Sequence, residues 1–145
     1  MADDVRTMTT IVVGVDGSDA SLDALRWAAQ EAQLTGASLD VVTAWEYPTA
    51  FGWAPPIPAD WNPEEEAKRD LAESVERTLG KTPAVNVRQV VVEGHPAPVL
   101  LAAASHADLL VVGSRGHGAF VGMLVGSVSE HCVSHATCPV VVVRG

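Results

Sequence analysis

Thr10–Ala44 reads TIVVGVDGSDASLDALRWAAQEAQLTGASLDVVTA, and it decides the fold. Its first six residues, Thr10–Val15, are a short apolar run, the first strand candidate. Asp16-Gly17-Ser18-Asp19 turns the chain at once. From Asp19 to about Thr35, Leu22, Leu25, Ala29 and Ala32 recur at steps of three and four, the period of a helix buried on one side. Ser18 or Asp19 can cap its start, and Gly36 closes it. Leu39–Ala44 is a second apolar run. Strand, helix and strand joined by short turns make a βαβ unit, whose strands are parallel and whose crossover is right-handed.

The rest of the chain continues the alternation. Pro63–Leu79 is a second helix, with proline at its start and Glu64, Glu65 and Glu66 where the helix dipole favours negative charge. Its apolar stripe is Ala67, Leu71, Val75 and Leu79. Val85–Val92 is a third strand whose alternating start suits a sheet edge. After the turn Glu93–Pro96, a third helix runs from Ala97 to about Ser105. Leu109–Val112 is the fourth strand, Ser127 to about His135 the fourth helix, and Pro139–Val143 the fifth strand. Five strands and four helices predict an open, doubly wound α/β sheet in a single domain spanning 1–145. Ligands of such sheets sit beyond the carboxyl ends of the strands, where the strand order reverses. In the order 3-2-1-4-5, strands one and four flank that reversal, so the turn at Asp16 and the loop after Val112 converge.

That second loop, Gly113–Ser127, reads GSRGHGAFVGMLVGS and holds five glycines. A strand, a glycine-rich loop and a helix start present backbone N–H groups to an anion, most economically a nucleotide phosphate. The loop contains no lysine, so it is no Walker A motif. The turn after the first strand has one glycine, so it is no dinucleotide fingerprint either. Arg115 is the loop's only arginine or lysine, and it either covers terminal phosphates or faces water. Two roles compete for Ser127: the cap of a capping box, Ser127-Val128-Ser129-Glu130, or a phosphate ligand. Asp16 either accepts from a ribose hydroxyl and holds Mg²⁺ through water, or bonds its own turn.

Trp45–Pro63 breaks the pattern. It holds five of the seven aromatic residues (Trp45, Tyr47, Phe51, Trp53 and Trp61) and five prolines. A long connection of this kind packs back on the domain, covers a ligand, or meets a partner.

The bulk properties exclude other classes. A net charge of -9 opposes nucleic-acid wrapping and binding to an acidic membrane surface. No run approaches the length of a membrane span, and Met1–Thr10 is polar and unlike a secretory leader. Two cysteines, Cys132 and Cys138, form no disulfide framework and suit a cytoplasmic setting. With His131 and His135 they cluster in sequence, but their spacing fits no common zinc signature. No nucleophile–base pair stands out, so no catalytic residue is assigned.

Taken together, Gly113-x2-Gly116-x9-Gly126-Ser127, the opening IVVGVDGS, the turn Glu93-Gly94, the segment ADLLVVGSRG and the closing CPVVVV resemble the universal stress protein family. The resemblance runs from about Thr9 to Val143 and implies an ATP-binding stress-response or regulatory protein. It implies that Val15 lies beside adenine or ribose and that Asp16 meets ribose and metal-bound phosphate. The strand exit near Trp45 would supply the backbone that recognises adenine. Gly113, Gly116, Gly126, Ser127 and Val128 would hold the phosphates, with Arg115 at a variable position and Mg²⁺ supporting them. It also implies a homodimer through strand 139–143, which agrees with an uncovered apolar edge. A slow ATP hydrolase and a nucleotide-independent interaction module using the aromatic segment are the alternatives.

Overall fold

The computed structural model describes residues 8–47, 58–115 and 126–144. Five strands, β1 (Thr10–Gly14), β2 (Ser38–Trp45), β3 (Val87–Glu93), β4 (Leu109–Gly113) and β5 (Val140–Val143), form one parallel sheet ordered β3-β2-β1-β4-β5. Four helices, α1 (Asp19–Thr35), α2 (Pro63–Leu79), α3 (Pro96–Ala103) and α4 (Ser127–His135), cover its two faces. This is the doubly wound architecture expected from the alternation.

The two faces follow from the two-residue period of a strand. Ile11, Val13, Leu39, Val41 and Val111 point to one side and pack with Ala24, Leu25, Ala28 and Ala32 of α1 and Leu71 and Val75 of α2. Val12, Val42, Leu110 and Val112 point to the other and pack with Val99 and Leu100 of α3 and Cys132 of α4. Both sides of β1 and β4 are thus covered, so their sequences read as unbroken apolar runs. β5 is an edge strand, but its faces are not bare. Val141 and Val143 pack on the first core, and Val140 and Val142 on the second.

The helix ends are held locally. Ser18 caps α1, its hydroxyl accepting from the Ser21 N–H at 3.3 Å. Gly36 ends α1 with φ 78°, a left-handed conformation that glycine adopts without strain, and its N–H donates to the Ala32 carbonyl. Asn62 caps α2 by accepting from the N–H groups of Glu64 and Glu65, a cap hidden in sequence by the loop around it.

β2 runs one residue further than its apolar pattern. The Trp45 carbonyl accepts from the Gly94 N–H at 2.8 Å, which keeps β2 paired with β3 through Trp45. Trp45 is therefore a strand residue and not the first of the loop.

Burial raises the thiol pKa of Cys132, and burial together with the nearby Asp108 carboxylate raises that of Cys138. A thiol harder to ionise folded than unfolded stabilises the fold below the unfolded value of about 8.5, and that contribution disappears as pH rises through the folded value. The urea midpoint is therefore expected to fall between pH 8 and 10. Replacing both cysteines by alanine should flatten that part of the profile; an equally steep fall without them would assign it elsewhere.

Candidate functional site

The carboxyl end of β1 is locked by hydrogen bonds. The Val15 N–H donates to the Val42 carbonyl at 2.9 Å, and the Val15 carbonyl accepts from Thr43 Oγ1 at 2.8 Å. Val15 is 4% exposed, so its side chain supplies a fixed apolar floor. Asp16, next in the chain, is exposed. Its Oδ1 accepts from the Ser18 N–H at 2.9 Å and from Ser18 Oγ at 2.5 Å, while its own N–H donates to Ser21 Oγ at 3.2 Å. Asp16 thus does organise its own turn.

A cavity of about 520 Å³ opens here, between the ends of β1 and β2 and one flank of α2. That volume lies within the range of small-molecule sites. Val15, Asp16, Thr43, Ala44 and Trp45 line one side; Ala67, Leu71, Ser74 and Arg77 line the other. With Asp16, the carboxylates of Glu46, Glu66, Asp70 and Glu73 border it, and among the described residues Arg77 is the one cation that does. So acidic a surround disfavours a phosphate group here and suits the neutral part of a ligand.

The aromatic segment contributes directly. Tyr47 meets Trp45 edge-on at 5.5 Å and Trp61 at 6.4 Å between ring centres. Trp61 Nε1 donates to Glu66 Oε2 at 2.7 Å, and Trp61 borders the cavity. In this part, packing back on the domain and neighbouring the cavity are the same arrangement. Phe51, Trp53 and the prolines at 48, 55 and 56 lie outside the described residues.

Strand pairing also determines which backbone meets the cavity. The Val42 carbonyl faces β1, and the Trp45 carbonyl faces β3. Successive peptides alternate, so the Ala44 backbone faces the β1 side, where β1 has already ended. The backbone group on that side is that of Ala44, next to Trp45, and both residues border the cavity.

The glycine loop leaves and returns at one point. The Ser114 carbonyl accepts from the Gly126 N–H, and Ser129 Oγ lies 3.1 Å from the Ser114 carbonyl oxygen and 3.0 Å from that of Gly126. Ser114 N–H donates to the Val143 carbonyl at 2.8 Å, tying the clasp to β5. Ser129 is 2% exposed and is a working part of the loop that sequence reading saw only as a capping-box residue.

At Gly113 the close approach is made by protein. A Cβ there would lie 2.7 Å from the Ala20 carbonyl carbon and 2.8 Å from its oxygen. Glycine lets β4 end against the first turn of α1, and so sets Gly113 beside Ala20, two residues past Ser18.

α4 begins with Gly126 as its N-cap, φ -76° and ψ 167°, and Ser127 as its first helical residue. The capping box expected at Ser127–Glu130 is therefore not formed, because Ser127 lies one position inside the cap. Ser127 is exposed, Val128 is half-buried, and the first-turn N–H groups of both lie at the helix start, where the dipole favours an anion. Arg115 is exposed on the outgoing side of the clasp. Gly116 lies outside the described residues.

The other candidates do not converge. The rings of His131 and His135 stack at 4.4 Å on the exposed side of α4, whereas Cys132 is buried in the core. Among the described residues no group of three or more His, Cys, Asp or Glu side chains is placed to hold a metal. His95, unassigned from sequence, has Nδ1 3.1 Å from Glu46 Oε2 and joins the β3–α3 turn to the cavity border. Among these residues no helix is long and apolar enough to cross a membrane.

The fold is an open α/β sheet, and its cavity lies at the carboxyl ends of β1 and β2, beside α2. A model of the universal stress protein family matches residues 8–144, and the chain belongs to that family. A universal stress protein of Mycolicibacterium smegmatis is 42% identical over 135 residues, 92% of this chain and 45% of that protein. One of Mycobacterium tuberculosis is 40% identical over 141 residues, 92% of this chain and 43% of that protein. The chain thus spans less than half the length of these curated relatives. Among solved structures, a universal stress protein in complex with cAMP is 29% identical with a TM-score of 0.73, covering 96% of this chain and 98% of that one. One from Archaeoglobus fulgidus in complex with dAMP is 26% identical with a TM-score of 0.65, covering 95% and 99%.

Proposed function

We propose that this chain binds an adenine nucleotide, with ATP as the expected ligand, and acts as a stress-response regulatory protein. The observation that carries the reading is the cavity of about 520 Å³ at the ends of β1 and β2, bordered by Val15, Asp16 and Trp45, with Gly113 at the start of the glycine loop packed on Ala20 just past the Asp16–Ser18 turn. The base and ribose occupy the cavity, over Val15 and against the Ala44 backbone. The phosphates lie past Asp16 toward Gly113, Arg115, Gly116, Gly126, Ser127 and Val128, away from Glu66, Asp70 and Glu73. The cAMP and dAMP held by the two solved relatives support an adenine ligand.

Asp16 offers a hard oxygen donor, which suits Mg²⁺ when phosphates and water fill its other positions. The ion would neutralise phosphate charge beside an acidic surface. The edge of β5 pairs with a second copy in this reading, making a homodimer.

The test is calorimetric titration of nucleotide-free protein with ATP, with and without Mg²⁺, after identifying any nucleotide released on denaturation. Absence of affinity at millimolar ATP would refute the reading. Asp16→Asn separates the two roles of that residue. The amide oxygen still accepts from Ser18, so the unfolding free energy should change by less than about 0.5 kcal/mol. Loss of the charge should weaken Mg²⁺-ATP binding roughly ten-fold and reduce its Mg²⁺ dependence. Unchanged binding would leave Asp16 as a turn residue only.

A further inference from the structure

Trp45 carries an anomaly. Among the described residues, its Nε1 is the buried side-chain polar atom with no hydrogen-bond partner. Water does not reach it, and its neighbour Tyr47 meets it edge-on. Burying a donor without a partner is costly, and structures rarely leave one so. If the position required only an aromatic ring to fill space, phenylalanine would do so without that cost.

The position of the donor suggests its use. Along β2, Leu39 and Val41 point toward α1 and α2, and Trp45 is in phase with them. The indole therefore stands on the side of the sheet where α2 forms the far wall, and Trp45 borders the cavity. The indole-plane torsion has a broad energy well, so turning the ring is the movement by which the N–H would meet the edge of a flat ring in the cavity.

We propose that Trp45 Nε1 donates to a ring nitrogen of the bound base and makes the site selective for a purine that offers an unprotonated nitrogen there. This rests on the adenine-nucleotide reading above. It assigns to the Trp45 side chain a contact separate from any made by the strand backbone. Adenine offers N1, N3 and N7 as acceptors, whereas its amino group is a donor and does not fit. A site with a buried donor discriminates strongly against an analogue lacking the matching acceptor, because the donor is then left unpaired in the complex.

The experiment titrates the whole chain, with Mg²⁺, with ATP and with its 1-deaza, 3-deaza and 7-deaza analogues. One replacement of nitrogen by carbon is expected to weaken binding to the wild type roughly ten-fold, and the other two much less. Trp45→Phe is expected to bind ATP about ten-fold more weakly and to be indifferent to that same replacement. Its urea midpoint without nucleotide should not fall, since the variant keeps the ring and loses the unpaired donor. A lower midpoint with unchanged ATP affinity marks a packing residue and overturns the proposal. Equal binding of ATP and all three analogues by the wild type overturns it too, and that arm decides the question if Trp45→Phe does not fold. If the wild type binds ATP normally while the analogue series is flat, only the role of Trp45 fails. If the wild type binds no ATP at all, the nucleotide reading fails with it.

Discussion

Gly113→Ala is expected to lower the unfolding free energy by about 2–3 kcal/mol, the cost of forcing a methyl group into a packed interface. The added carbon would meet the Ala20 backbone at 2.7 Å, and a helix backbone cannot turn aside as a flexible side chain can. The strain must be relieved by moving α1 away from β4. These are the elements that carry the Asp16–Ser18 turn and the start of the glycine loop, so nucleotide affinity should fall along with stability. Gly36→Ala is the control. Its Cβ meets nothing within 4 Å, and its penalty comes only from the left-handed φ of 78°. It should cost about 1 kcal/mol and leave nucleotide binding unchanged. Urea denaturation and calorimetry of both variants check this. Equal stability losses for the two would show that the Gly113–Ala20 approach relaxes easily.

Ser129→Ala should have the largest effect on binding among substitutions that do not face the ligand. Its hydroxyl sits between the Ser114 and Gly126 carbonyls, which are the two ends of the loop. Removing it should cost about 1–2 kcal/mol of stability, as expected for the loss of a buried hydrogen bond. It should also weaken ATP binding roughly ten-fold, because looser clasping misplaces the first-turn N–H groups of α4. Ser127→Ala makes the informative comparison. Ser127 lies inside the helix and Gly126 is the cap, so its loss should change stability by less than about 0.5 kcal/mol, where loss of a true cap costs about 1. If its hydroxyl contacts phosphate, affinity still falls. A stability loss at Ser127 near 1 kcal/mol would restore the capping box.

Nearly all the architecture is legible in local pattern. The apolar runs at Ile11–Val13 and Leu109–Val112, and the spacing of Leu22, Leu25, Ala29 and Ala32, specify strands and a helix. Short joints then restrict the connections to parallel crossovers. The motif residues at 16, 113, 126 and 127 are legible for the same reason, since each occurs at a turn or helix start that the neighbouring pattern places. Ser129 carries no signal in the sequence, because its partners at Ser114 and Gly126 become neighbours only in the fold.

What the sequence determined by itself, then, is the order and kind of the elements and the sheet they form. These depend on periodicity and on residue preferences acting over a few positions. Tertiary structure alone decided four things: Ala44 turns its backbone to the side where β1 has ended, Gly113 makes room for Ala20, Gly126 rather than Ser127 caps α4, and the half-buried Trp45 holds its Nε1 unpaired and out of reach of water. Each depends on which atoms of distant segments meet, on strand register or on a separation of a few tenths of an ångström. A one-residue shift in any of them leaves the apolar pattern almost unchanged while exchanging the group that faces the ligand.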